Sequence, residues 1–65
     1  MSIAYRPIEE ILAEKISESH YTDIEAILGY PVSADVLEDV EDRIREALDE
    51  YTEDELLELE RRYLQ

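Results

Sequence analysis

The chain has 65 residues, with 19 acidic and 6 basic side chains, a formal net charge of -13 and no cysteine. This length allows one domain, residues 1–65, which the composition and the helical segments below predict to be acidic and helical. Without a disulfide or a Cys/His zinc site, a chain of this size needs close helix packing or a partner, such as a second copy of itself. The charge argues against direct binding to nucleic acid or to an acidic membrane, because the phosphates of both would be repelled.

The first predicted helix covers residues 7–18. It opens at Pro7, a favoured residue in the first turn of a helix because its missing N–H is not needed there. Apolar side chains then recur at helical spacing and give the helix one side that can be buried. These side chains are Ile8, Ile11, Leu12 and Ile16.

A short second helix is predicted over residues 23–28. Thr22 and Glu25 have the three-residue spacing of a capping box, in which each side chain hydrogen-bonds to the backbone N–H of the other residue. Gly29 with Pro31 two residues later is a stop signal, because Gly adopts the left-handed conformation that ends helices and Pro cannot continue them. The buried side is expected to consist of Ile24, Ile27 and Leu28.

The third predicted helix covers residues 34–50, with Ser33 or Asp35 as its N-cap. When residues are placed 100° apart around a helix axis, its apolar side chains form one arc about 120° wide. An arc of this width is typical of a helix that packs on a core with one side only. The arc consists of Val36, Leu37, Val40, Ile44, Ala47, Leu48 and Tyr51.

The last predicted helix covers residues 53–64 and begins with a second capping box, Thr52 and Glu55. Its apolar arc is wider, about 160°, which suggests that the helix packs on the core and also on another chain. The alternative is that it packs wholly within its own chain, with Glu60 at the rim. The residues expected at a self-association surface are Leu56, Leu59 and Tyr63.

Together the predicted helices indicate an all-α fold, a small compact bundle of three to four helices.

Seven carboxylates lie along the polar side of the third predicted helix, with no basic residue among them; we call them the acidic stripe. On one straight helix they would cover roughly 22 Å, with a charge about every 3 to 4 Å along the axis. A single DNA strand carries one charge every ~3.4 Å. The stripe is therefore a candidate imitation of a phosphate strand and the predicted partner-binding site. It consists of Asp35, Glu38, Asp39, Asp42, Glu46, Asp49 and Glu50.

The alternative interpretation of the stripe is an ordinary solvated side, which would be acidic in any chain of this composition. Against that alternative, like charges four residues apart each disfavour the helix by a few tenths of a kcal/mol. A helix selected for stability alone would place Lys among these carboxylates. Instead Arg43 and Arg45 are predicted at the flanks of the stripe.

Residues that could support catalysis or metal binding are sparse. His20 is the only histidine and falls in a predicted loop, and no cysteine or basic group has the spacing that would activate a nucleophile. The acidic run from Asp49 to Glu55 lacks the pattern of a calcium-binding loop and fits the first turn of the last helix, where negative charge is favourable. We therefore expect no enzyme activity, no cofactor and no metal.

Two resemblances bear on function. In size, charge and helical make-up the chain resembles small acidic phage inhibitors of host defences, including anti-CRISPR and anti-restriction proteins, several of which mimic DNA. The nine residues 51–59, YTEDELLEL, resemble the start of a helix in the acidic four-helix immunity proteins of DNase colicins. That family binds and silences a basic nuclease, so both resemblances imply a basic protein partner.

Two function hypotheses follow. The first is an inhibitor that blocks the basic DNA- or RNA-binding surface of a CRISPR effector, restriction enzyme, nuclease or regulator through the acidic stripe. The second is a structural or adaptor protein that acts through its apolar last helix, as a homodimer or in a partner's groove.

The chain has no membrane-length apolar run and no signal-peptide pattern in Met1–Arg6, so we expect a cytoplasmic location.

Overall fold

A computed structural model describes residues 7–65, which form five α-helices. These are α1 (Ile8–Ser17), α2 (Tyr21–Leu28), α3 (Ala34–Glu38), α4 (Val40–Leu48) and α5 (Glu53–Tyr63). No strand occurs among these residues, so the all-α prediction is confirmed for them. The predicted number of helices is too low, because the third predicted helix is two helices. Met1–Arg6, for which the sequence predicts no signal peptide, lie outside the described residues.

The ends of α1 follow from its local sequence. Pro7 precedes it as an extended N-cap residue with φ -60° and ψ 150°, a conformation that the proline ring permits. At the other end, the hydroxyl of Ser19 donates to the carbonyl of Ile16 at 2.6 Å, and that of Ser17 donates to the carbonyl of Glu14 at 2.7 Å. Side-chain bonds of this kind to carbonyls of the last turn are common where a helix ends.

The predicted start of α2 is wrong. The helix begins at Tyr21 with His20 at the N-cap, and no side chain caps it. Thr22 lies inside the first turn, while a carboxylate oxygen of Glu25 accepts the backbone N–H of Val32 at 3.0 Å. Glu25 therefore fixes the loop that follows the helix instead of closing a capping box. The predicted end is confirmed, since Gly29 has φ 85° in the left-handed region.

The third predicted helix is interrupted at Asp39, whose φ of -133° and ψ of 34° are not helical. Ser33 caps α3 as predicted, with the N–H of Val36 3.4 Å from its hydroxyl, whereas Asp35 lies within the first turn. A new helix start at Asp39 places Glu41 and Asp42 in the first turn of α4, where the helix dipole favours negative charge. A continuous helix would instead hold Asp42 in an interior run of like charges.

The capping box at the start of α5 is confirmed. The N–H of Glu55 donates to the Thr52 hydroxyl at 3.2 Å, and the N–H of Thr52 donates to the Glu55 carboxylate at 2.9 Å. Glu53 and Asp54 join Glu55 in the first turn, and Arg61 and Arg62 lie in the last turn. Both ends of the helix therefore carry the charge that complements its dipole.

The core is apolar throughout, and no polar or charged side chain is buried among residues 7–65. It forms where α1 packs against α4 and α5 and where α2 packs against α4. One residue of the predicted core arc differs from the prediction. Leu37 is 39% exposed, because the helix break at Asp39 means that Leu37 no longer lies on the same side as the apolar residues of α4. The fully buried large side chains are Leu12, Ile16, Ile24, Ile44 and Leu48.

Within residues 7–65, none of the helices combines the length and the apolar character that crossing a membrane requires.

Candidate functional site

The acidic stripe lies entirely on the surface, since all seven of its residues are exposed. Two belong to α3, one is the interruption at Asp39, two belong to α4, and Asp49 and Glu50 follow the end of α4. The single straight helix on which the regular charge spacing depended is therefore not present. The structure divides most of the stripe between two separate depressions of the surface.

The first depression has a volume of about 360 Å³ and lies where α3 and α4 meet the end of α1. Glu38, Asp39 and Asp42 line it together with Glu41, and Ser17 of α1 forms part of its wall. Four carboxylates therefore surround one concavity at the helix break.

Arg43 contacts both the residue at the helix break and the loop that follows α2. Its Nε lies 2.6 Å from a carboxylate oxygen of Asp39, and one of its terminal nitrogens donates to the Tyr30 hydroxyl at 3.1 Å. The hydrogen bonds to Asp39 and then to Tyr30 raise the pKa of Arg43 above its usual value, so its charge is permanent. The guanidinium thereby links the residue after Gly29 to the start of α4.

Arginine neutralises only part of the stripe. Arg43 pairs with Asp39, and Arg45 lies 3.6 Å from a carboxylate oxygen of Asp42. Both pairs are exposed and contribute at most about 1 kcal/mol each. In the part of the chain that the structure describes, no ion pair engages the other five stripe residues: Asp35, Glu38, Glu46, Asp49 and Glu50.

The second depression, of about 490 Å³, lies between α2 and the end of α4. Glu46 and Glu50 line it from the stripe, and Glu55 of α5 adds a third carboxylate. Its floor includes Ile27 and the half-buried ring of Tyr51. Burial, and after it the negative charge of Glu55, raises the pKa of Tyr51, so the phenol at this floor stays neutral.

Sequence reasoning did not assign four polar residues to these depressions: Ser17, Tyr30, Glu41 and Glu55. The projection of one straight helix places Glu41 outside the stripe. The helix break at Asp39 puts Glu41 and Asp42 in the first turn of α4, and both line the first depression. The sequence predicts Glu55 in the capping box, and the structure confirms this. Glu55 also borders the second depression. No sequence signal joins Tyr30 to Arg43, since their contact depends on how α2 packs on α4.

The residues predicted for self-association lie mostly inside their own chain. Leu56 and Leu59 belong to the core and are 9% and 8% exposed, and the partly buried Tyr63 packs against that core. Leu57 is instead 52% exposed on α5, beside a depression of about 200 Å³ that Ile8 also lines. An apolar contact made by α5 with another chain would therefore be centred on Leu57.

His20 occupies the N-cap position of α2 and is exposed, and its side chain makes no capping hydrogen bond. Across residues 7–65, no three His, Asp or Glu side chains converge closely enough to hold a metal ion.

Comparison of the chain with protein families, with curated proteins and with solved structures finds no match.

Proposed function

We propose that this protein binds a basic surface of another protein through the acidic stripe and thereby inhibits that partner. The supporting observation is that all seven stripe carboxylates are exposed, and that in the described structure only Asp39 and Asp42 of these seven pair with arginine. A charge excess of this kind attracts a basic partner over long range and speeds the encounter. The proposed role is non-enzymatic.

Nucleic-acid-binding proteins are the partner class that fits best. Such proteins grip phosphates with clustered Lys and Arg, so a surface of carboxylates competes for the same side chains. Because Asp39 interrupts the helix, the imitation would consist of two acidic patches and not of one linear strand. A CRISPR effector, a restriction enzyme or another nuclease has a basic surface large enough to accept both patches.

The test begins with capture of partners from a bacterial lysate on immobilised protein at low and high salt. Each captured protein is then purified, and its bound, fluorescently labelled DNA or RNA is titrated with the acidic protein. We expect displacement of the nucleic acid, which anisotropy measures directly. Stable binding without any displacement would contradict the inhibitory role.

Matched variants assign the contact to the stripe. Replacing Glu38, Glu46 and Glu50 with Gln neutralises three stripe residues that have no ion pair in the described structure. Partner association should slow by about tenfold or more and its salt dependence should become shallower. The control replaces Glu10, Glu18 and Glu53 with Gln, which changes the net charge equally on α1, at the residue that follows it and at the start of α5. If both variants lose binding to the same extent, overall charge and not the stripe drives it.

The second candidate function, an adaptor or homodimer, is favoured by one observation, the 52% exposure of Leu57. Under this alternative the protein forms a dimer, and Leu57→Ala returns it to a monomer without loss of helical signal. Light scattering across a concentration series measures both. A monomer at all concentrations would remove the homodimer from consideration.

A further inference from the structure

A second surface with different chemistry lies between α2, the end of α4 and α5. The acidic depression of about 490 Å³ adjoins another of about 270 Å³, and the two share Ile27, Tyr51 and Glu55. The two depressions adjoin at these three residues, and we call the pair the α2–α5 groove. Ala26, Ile27 and Leu28 of α2 contribute to its lining.

The two halves of the groove differ in character. Glu46 and Glu50 border the first half, whereas Ala26 and Leu59 line the second half, which is more apolar. Glu55 lies at the junction, and Glu58 adds a carboxylate beside the apolar half. Arg43 lines the first half and Arg62 the second, so carboxylates outnumber cations four to two. A ligand that fills the groove must therefore offer an apolar side chain and several positive charges on the same side.

We infer that the α2–α5 groove is a docking site for a basic amphipathic helix of a partner protein. An apolar anchor of that helix would sit over Ala26 and Leu59, and Lys or Arg side chains would reach Glu46, Glu50 and Glu55. This is the helix-in-groove mode of recognition, with charges that fix the register. It goes beyond the proposed function, because it uses the shape and the apolar lining of a groove that overlaps the stripe only at Glu46 and Glu50.

The chemistry of the groove selects this occupant over others. Residues 7–65 contain no strand, so a partner has no sheet edge there to extend. A second copy of this chain is a poor occupant, because its acidic residues exceed its basic ones by 13 and its carboxylates would meet those of the groove. A helix with an apolar side bordered by Lys and Arg satisfies both halves of the groove.

The test uses a synthetic Leu/Lys peptide of about 15 residues, roughly four helical turns, with Leu at helical spacing. Its control has the same composition with Leu and Lys alternating, which cannot present one apolar side as a helix. Fluorescence anisotropy of each labelled peptide is titrated with the protein. We expect the helical pattern to bind about tenfold more tightly. Equal affinity would show that net charge alone captures the peptides and would overturn the proposal.

A variant that fills the groove tests whether peptide binding depends on the shape of the groove as well as on its charge. Ala26→Gln adds a long neutral side chain to the apolar half at an exposed position of α2, and Gln is a good helix former. Ala34→Gln makes the same change at an exposed position of α3, away from the groove. We expect Ala26→Gln to weaken binding of the helical peptide about tenfold and Ala34→Gln to leave it unchanged. Equal effects of the two substitutions would overturn the proposal.

Backbone amide shifts of the unaltered protein provide evidence that does not depend on any variant. The helical peptide should shift the signals of Ala26, Ile27, Leu59 and Tyr51, whereas the alternating peptide should not. Shifts confined to α3 and the start of α4 would contradict the groove and still agree with binding at the stripe. Failure of the groove and failure of the stripe are therefore distinguishable. Because Glu46 and Glu50 belong to both surfaces, the variant with Glu38, Glu46 and Glu50 replaced by Gln weakens both, whereas Ala26→Gln alters the groove and leaves every stripe carboxylate in place.

Discussion

Thr52 is the side chain that closes the start of α5, through two reciprocal backbone bonds with Glu55. Thr52→Ala removes the acceptor for the Glu55 N–H and should lower the free energy of unfolding by about 1 kcal/mol. Urea denaturation measures the loss. Thr22→Ala is the matched control, because Thr22 precedes a Glu at the same spacing but caps nothing, and it should cost little. Equal losses would contradict the assignment of helix starts.

Ionisation of Tyr51 is expected to lower the stability of the fold at alkaline pH. Burial, reinforced by the charge of Glu55, raises its pKa above the ordinary value of 10.0, so folding favours the neutral phenol. This contribution is complete below about pH 10 and is lost as the pH rises toward the folded-state pKa. We expect Tyr51→Phe to flatten the decline of stability above about pH 10, as measured by thermal unfolding across a pH series. Tyr21→Phe, at a 57% exposed ring, should leave the decline unchanged.

At the scale of the helices, Gly29 sets where α2 ends. Its φ of 85° lies in the left-handed region, and an added Cβ would meet no atom within 4 Å. The cost of Gly29→Ala is therefore backbone strain alone, about 1 kcal/mol. Denaturant unfolding should show that loss, and Gly29→Asn should lose less because Asn tolerates this conformation. A loss in Gly29→Ala well above 2 kcal/mol would indicate a steric clash that the structure does not contain.

Helix ends with a local chemical cause could be predicted from sequence. Ser33, Thr52 and Gly29 act as predicted, because each depends only on residues within one turn. Thr22 has the same signature as Thr52, but Glu25 bonds to Val32 instead, a contact that the loop after α2 makes available. A capping pattern therefore identifies residues that are able to cap, and tertiary contacts decide which of them do.

The interruption at Asp39 shows the limit of a helical projection. A projection assumes one continuous helix, so it placed seven acids in one stripe and Leu37 in the core arc. Two local signals favoured a break: repeated like charges four residues apart, and an Asp that can start a new helix ahead of Glu41 and Asp42. Which residues border each depression could not be predicted, because that depends on the packing of α1 and α2 against α4.

For the whole molecule, the dominant electrostatic property is the formal net charge of -13. The two exposed ion pairs of the stripe, at Asp39 and Asp42, leave this value unchanged, because their arginines are already counted in it. Repulsion between exposed carboxylates acts over a Debye length, which shortens from about 30 Å at 0.01 M salt to about 8 Å at physiological ionic strength. Added salt should therefore stabilise the fold as a whole.

We expect the melting temperature to rise between about 0.01 M and 0.15 M sodium chloride, the range over which the screening length changes most. The variant with Glu38, Glu46 and Glu50 replaced by Gln should melt higher than the native chain at low salt, because part of the repulsion is already removed. It should also gain less from added salt. Two of the residues replaced in the control, Glu10 and Glu53, lie in the first turns of α1 and α5, where the helix dipole favours a carboxylate. The control should therefore melt lower at low salt than the variant with Glu38, Glu46 and Glu50 replaced. If all three proteins respond equally to salt, the crowding of charge along α3 and α4 contributes nothing to stability beyond the net charge.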